Sequence, residues 1–298
     1  MPHENMVFAP DSKLMHRAEI LELAKVFVGQ GVKKLRLTGG EPMVRKDFAD
    51  IVRDLAGLGV ELTMTTNGVL LDTHVKLLKE VGMKSVNISL DSLNPERFRQ
   101  ITQRDQFGRV WDNIMLMVEE GFKVKVNAVA KKGWIEHELI DFIEITKKLP
   151  IHVRFIEFMP FDGNQWKSEE VISAEQMLQE VAGVYDIIKL NDAPHTTAKK
   201  YKVPGHEGTF AFITTMSMHF CGDCNRLRLT ADGKIKNCLF GQEEIDLLSA
   251  LRKGENLLPI IQQSLQKKHA VMGGQFPDGF AQTKGDDLIN RSMIAIGG

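Results

Sequence analysis

At 298 residues the chain is long enough for one large domain or for a barrel with an added domain. Its 43% hydrophobic and 26% charged residues are those of a globular protein, and its longest apolar runs fall far short of a membrane span. A net charge of −1 provides no field to hold a nucleic acid, so any anionic ligand has to be met by a local basic cluster. The N-terminus, Met1-Pro2-His3-Glu4-Asn5, lacks the basic region and apolar core of a secretory signal. With an odd number of clustered cysteines, this favours a reducing cytoplasm over a disulfide scaffold.

In chain order, residues 16–30 place Ile20, Leu23, Ala24 and Phe27 on one helical face, with Ser12 as candidate N-cap and Gly31 as stop. Strand-like runs near 33–38, 61–65, 85–91, 123–129 and 152–158 then alternate with helical runs near 45–57, 72–81, 108–120 and 136–147. Such βα units build a parallel sheet, as a barrel or a doubly wound sheet. The strands decide between these. Leu35 and Leu37 alternate with Arg36 and Thr38, Leu62 and Met64 with Thr63 and Thr65, Val86, Ile88 and Leu90 with Asn87, Ser89 and Asp91, and Val124 and Val126 with Lys125 and Asn127. A closed eight-stranded barrel fills its lumen with branched apolar side chains. A polar inner face predicts a wider, partial (open) βα barrel whose lumen holds ligands, with Arg36 and Lys125 as an inward basic pair.

From about residue 160 the pattern changes. A helix near 173–182, an irregular stretch from Asn191 to Gly208, a strand near 209–214, and helices near 243–253 and 256–267 predict a second unit. The expected domains are therefore 1–160, the partial barrel, and 161–298, a C-terminal domain. Short polar motifs end the strands of the first: Thr38-Gly39-Gly40-Glu41-Pro42, Thr65-Thr66-Asn67-Gly68, Asn87-Ile88-Ser89-Leu90-Asp91 and Glu157-Phe158-Met159-Pro160. Each alone could be a polar turn. Together they put hydroxyls, carboxylates, an amide and a thioether on the carboxyl rim, where parallel βα folds bind ligands.

All three cysteines lie in one block, Cys221-Gly-Asp-Cys224 and, after a predicted hairpin with an Ala-Asp-Gly-Lys turn, Cys238. A C-x-x-C turn aims two thiolates at one centre and the hairpin returns the third. Three thiolates are one short of a closed zinc site, whereas on a [4Fe-4S] cluster they leave one iron open to a substrate atom. A Cys3His zinc knuckle using His219, or buried thiols without metal, are the alternatives. Arg226 and Arg228 follow at alternate positions. They form either a solvated face or, opposite Arg36 and Lys125, a home for a triphosphate. No G-x-x-x-x-G-K-[ST] loop is present.

These residues resemble the GTP 3′,8-cyclase family of radical S-adenosylmethionine (SAM) enzymes. Thr-Gly-Gly-Glu-Pro, Thr-Thr-Asn-Gly, Asn-Ile-Ser-Leu-Asp, Lys125-Val-Asn127, Arg154-Phe-Ile-Glu-Phe-Met-Pro, Phe-Cys-x-x-Cys-Asn-Arg-Leu-Arg and the terminal Gly297-Gly298 run in the family's order over essentially the whole chain. The resemblance implies that Gly40, Ser89 and Met159 contact SAM and that Arg36, Thr65, Lys125, Arg226 and Arg228 contact GTP. It implies an auxiliary [4Fe-4S] cluster on Cys221, Cys224 and Cys238, and places Arg226, Arg228, Gly297 and Gly298 in the catalytic machinery. The implied activity is radical conversion of GTP to 3′,8-cyclo-7,8-dihydroguanosine 5′-triphosphate, the first step of molybdenum cofactor biosynthesis. An electron donor and cyclic pyranopterin monophosphate synthase, the next pathway enzyme, are the implied partners, with no nucleic acid and no membrane; a homodimer is compatible with the sequence.

The family's C-x-x-x-C-x-x-C motif holds a second [4Fe-4S] cluster, and its ligands do not occur here: no cysteine precedes Cys221. The family motif is typically followed by Met-Pro, so the chain reads as though it starts just after it, and helix 16–30 as the helix of a βα unit without its strand. The expectation is that these 298 residues alone do not cleave SAM, and that the alternative reading, a truncated and inactive GTP-binding iron-sulfur paralogue, stays open. Any 5′-deoxyadenosine from anaerobically reconstituted chain with reductant and SAM would contradict this.

Overall fold

The computed structural model describes residues 10–218, 220–276, 279–283 and 290–297. Five strands, β1 (Lys34–Leu37), β2 (Glu61–Thr66), β3 (Ser85–Ser89), β4 (Lys123–Ala130) and β5 (His152–Glu157), pair in parallel in chain order. The helices between them are α2 (Phe48–Ala56), α3 (Leu71–Glu80), α4 (Pro95–Thr102), α5 (Phe107–Glu119) and α6 (Leu139–Glu144), preceded by α1 (Arg17–Gly29). The expected strands and helices appear at the expected places. Helix α4 is an addition: Asn94 Oδ1 accepts from the Glu96 and Arg97 N–H groups at 3.0 Å each, and Pro95 sits at the first helical position, a start signal present in the sequence.

Beyond residue 160 come α7 (Ala174–Ala182), β6 (Ile188–Lys189), β7 (Ala198–Lys202) and β8 (Thr209–Ile213). Strand β8 pairs in parallel with β5, and β7 and β6 follow antiparallel, giving one eight-stranded sheet in the order β1-β2-β3-β4-β5-β8-β7-β6. The strand expected in the second unit thus extends the first unit's sheet. The sheet is open, with β1 and β6 at its edges. Its apolar face, including Met64, Ile88, Val126, Phe155 and Phe212, packs under the helices in one large core with Val52, Leu78, Ile114, Phe142 and Met177. With apolar contacts concentrated there, the other face is left to polar groups.

A small antiparallel sheet, β9 (Arg228–Leu229), β10 (Lys234–Lys236) and β11 (Ile245–Asp246), is followed by α8 (Leu247–Arg252), α9 (Leu257–Gln266) and α10 (Met293–Ile296). Helix α1 bridges the two parts. Its Leu23 and Phe27 are buried with Ile235, Leu248 and Ile261, while Ala24 belongs to the core under the large sheet. Its N-cap is His16, whose backbone N–H donates to Glu19 Oε2 at 2.7 Å, and not Ser12, which lies in a 3-10 turn. Glu19 also pairs with Arg252 at 2.6 Å, so the same carboxylate ties the helix start to α8. Among the described residues no helix is long and apolar enough to cross a membrane.

Candidate functional site

Strand register stacks the polar side chains in rows. Thr65, Asn87, Lys125, His152 and Thr209 are partners across β2, β3, β4, β5 and β8. Ser89, Asn127 and Arg154 form the next row towards the carboxyl ends, and Arg36, Thr63 and Ser85 the row before. Asn87 links two rows, donating to Thr65 Oγ1 on β2 at 3.2 Å and accepting from Arg154 Nη2 on β5, two strands away, at 2.8 Å. The sequence singled out Arg36, Thr65 and Lys125 but gave no role to Arg154 or Asn127. Their signal was there: His152 and Arg154 alternate with Val153 and Phe155 just as in the other four strands.

The electrostatics show that the cations converge. Burial lowers the Lys125 pKa to about 8, and repulsion from Arg154, Lys34 and Arg36 adds to it. Arg154 is lowered to about 10 by burial and by Arg36, and Arg228 to about 10 by burial, Arg226 and Arg36. Arg36 is lowered by burial and by Arg226. His152, buried beside Arg154 and Lys125, falls to about 3 and is neutral near pH 7, bonded to Thr209 Oγ1 at 2.7 Å. Among the described residues none of these four arginines and one lysine has an ion-pair partner; Glu61, which acts on Arg36 and Lys125 from a distance, pairs with Lys34 at 2.7 Å. Arg154 Nε and Asn127 Oδ1 are buried without a hydrogen-bond partner. Arg154 is buried and Lys125 and Arg228 half-buried, so leaving them unpaired is costly, while Arg36 and Arg226 are exposed beside them and open to an anionic ligand.

On the rim, carboxylates act as ties. Glu41 accepts from Thr66 Oγ1 at 2.8 and 2.9 Å, the Asn67 N–H at 2.7 Å and the Met43 N–H at 3.2 Å, fastening the Gly39-Gly40 loop to the end of β2. Fully buried Glu157 accepts from the backbone of Ala174, Met216 and Ser217 at 3.1, 2.7 and 2.8 Å and from the Ser217 hydroxyl. Asp91, its pKa raised by burial, accepts from the Val129 N–H at 2.9 Å. Ser89 is half-buried in the lumen row, and Met159 lies at the edge of the apolar cluster that also holds Cys221 and Cys238.

The three thiols are free and half-buried. Cys221 Sγ accepts from the Met272 N–H at 3.3 Å, Cys224 Sγ from Arg226 Nη2 at 3.5 Å, and Cys238 and Cys224 both act on Arg228. Burial raises the Cys224 thiol, but the Arg226 backbone N–H and guanidinium outweigh it and leave a net lowering. Arg226 precedes β9 and lies over the Phe220 ring at 4.9 Å. Among the described residues no three His, Cys, Asp or Glu surround a single ion position; His219 lies outside them. Thiolates on a [4Fe-4S] cluster bind three different irons and do not have to meet at one ion. Apolar walls and N–H donors to sulfur suit such a group.

The C-terminal segment docks between the loop after β1 and the cysteine block. Ile296 is buried beside Cys221 and Cys238, the Gly297 carbonyl accepts from Arg228 Nη1, and Gly297 packs on the loop after β1. At φ +81° a Cβ on Gly297 would collide with Thr38 Oγ1 and come 3.1 Å from the Gly39 nitrogen, so only glycine fits. A Cβ on Gly40 would press on Ile294 at 3.3 Å. Gly298, expected in the site, lies outside the described residues.

Residues 5–145 match the Radical SAM superfamily and residues 151–273 match Molybdenum Cofactor Synthesis C. The chain is 45% identical over 304 aligned residues to mouse (Mus musculus) molybdenum cofactor biosynthesis protein 1, covering 100% of this chain and 47% of that one, so it spans about half the relative's length. It is 44% identical to "GTP 3',8-cyclase, mitochondrial" of Arabidopsis thaliana, covering 100% of this chain and 76% of that one. Among solved structures, Streptococcus suis SuiB bound to S-adenosylmethionine superposes with a TM-score of 0.52 at 17% identity, over 80% of this chain and 58% of that one, a likeness of fold.

Proposed function

The chain belongs to the GTP 3′,8-cyclase family of radical SAM proteins, and from that premise we propose that its lumen holds GTP for conversion to 3′,8-cyclo-7,8-dihydroguanosine 5′-triphosphate in molybdenum cofactor biosynthesis. The observation that carries this reading is the unpaired cation cluster of Arg36, Lys125, Arg154, Arg226 and Arg228 set between the rim loops and the cysteine block. Its guanidiniums would hold the triphosphate by paired N–H donors. Cys221, Cys224 and Cys238 would hold an auxiliary [4Fe-4S] cluster, which when bound would supply an iron with a coordination position free for a substrate atom. Gly40, Ser89 and Met159 would line the SAM site. The thiolates for a SAM-cleaving cluster are not among these 298 residues. The remaining work of the chain is to orient the ribose, exclude water and hold the tail against the loop after β1. GTP, SAM, an electron donor and the next pathway enzyme are the partners of this reading, in a cytoplasmic, reducing compartment.

Calorimetric titration of GTP tests it. Lys125 loses its proton near pH 8 in the free protein, and a bound triphosphate favours the charged form. Affinity should therefore be full below pH 8 and fall as pH rises through it, about tenfold between pH 7 and 9. Lys125→Met should bind more weakly at pH 7 and lose the slope. A wild-type chain that binds no GTP would overturn the reading, and a slope surviving in Lys125→Met would remove Lys125 from the phosphate site.

A further inference from the structure

The segment that ends at Gly297 is anchored at a second point, besides the loop after β1. Arg291 donates to Asp232 Oδ1 at 3.1 Å and Oδ2 at 3.2 Å, and its Nη2 also meets Glu244. Asp232 occupies the turn between β9 and β10, and Glu244 immediately precedes β11, so one guanidinium joins two connections of the small sheet. Lys234 stands 3.8 and 3.9 Å from the same carboxylates and offers a point charge, not a fork. Beside it, Asn290 Nδ2 donates to the Leu239 carbonyl at 3.2 Å, next to Cys238. Between this anchor and Gly297 there is only the single turn α10, closed by the Gly297 N–H onto the Met293 carbonyl at 2.8 Å.

So short a link transmits position. We propose that Arg291 is a positioning residue: by clamping Asp232 and Glu244 it sets α10 so that Gly297 lies against Thr38 and under Arg228. Arg228 stands on the same hairpin as Asp232, so one element registers both the glycine and the guanidinium that meets it. The pair is partly buried, with side chains 29%, 24% and 12% exposed for Arg291, Asp232 and Glu244. It is therefore screened less than a surface pair. The large sheet has a core of its own, so the clamp's effect is local to the tail. The inference deepens the function proposed above and rests on it for the catalytic consequence of a misplaced tail.

Amide hydrogen exchange on the 298-residue chain without GTP tests it. Arg291→Gln should raise exchange at Ile296 and Gly297 about tenfold, leave β2 to β5 and the melting temperature unchanged, and keep the GTP dissociation constant within about twofold. Arg291→Lys keeps the charge without the fork and should recover part of the protection, and Glu244→Gln, removing one arm, should give a smaller rise. Unchanged tail exchange in Arg291→Gln overturns the proposal. So does a rise shared equally by the large sheet, or a loss of GTP affinity of the same size. Because exchange is read without nucleotide or turnover, this result and the cyclase reading can fail independently.

Discussion

Anaerobic reconstitution of the chain with iron and sulfide is expected to give about four irons per chain, and Cys224→Ala close to none. The three cysteines are the chain's whole thiol inventory, so no other thiol can substitute. Cys221 and Cys238 enter one apolar cluster with Met272 and Phe240, and Cys224 stands on the polar side with Arg226 and the Lys268 ammonium, which donates to the Cys224 carbonyl at 2.8 Å. In the proposed reading Cys224, whose Sγ accepts from Arg226 Nη2 at 3.5 Å, would be one of only three thiolate ligands, so its removal would leave two. GTP should perturb the absorption or paramagnetic spectrum of the loaded wild type. Stoichiometric zinc without iron after the same treatment would sink the cluster and leave the zinc alternative.

Gly297 should be the most sensitive backbone position for turnover. In a chain with the C-x-x-x-C-x-x-C segment supplied ahead of Met1, Gly297→Ala, or deletion of Gly297 and Gly298, is expected to lower cyclised product at least about a hundredfold. GTP affinity and iron content should stay within about twofold of wild type. The asymmetry follows from where the glycine sits. Its missing Cβ is what lets the chain pass Thr38 and Gly39, its φ of +81° is unfavourable for alanine, and its carbonyl fixes Arg228. The triphosphate would retain Arg36, Lys125 and Arg154, whereas Gly297 bonds Arg228. Gly298→Leu is expected to act similarly. Turnover equal to wild type in the deletion variant would make the tail an ordinary chain end.

The alternation of Arg36, Thr65, Asn87 and Lys125 with apolar neighbours announced an open polar lumen before any coordinates, because a strand's period of two assigns each side chain to a face by position alone. Helix positions were legible for the same local reason, apolar spacing and glycine stops, as was the hairpin that returns Cys238. The cysteine block was legible as a composition fact. What local pattern could not reach were contacts between residues distant in the chain. Glu157 looks like one more rim carboxylate, yet it is a fully buried acceptor for N–H groups 17, 59 and 60 residues away. Strand β8 reads as part of a second unit that begins near residue 160, but a parallel pairing with β5 puts it in the first unit's sheet. Helix α1 carries an ordinary apolar stripe, and only packing assigns Phe27 to the small sheet's core and Ala24 to the large one. The pairing of Arg291 with Asp232 likewise depends on the tail returning to a turn 59 residues earlier. Residue type and spacing thus determined the elements, the polar lumen and the candidate ligands. Tertiary structure decided which cations face one another without partners and where the terminal glycine docks, since both depend on loop closures that no local period encodes.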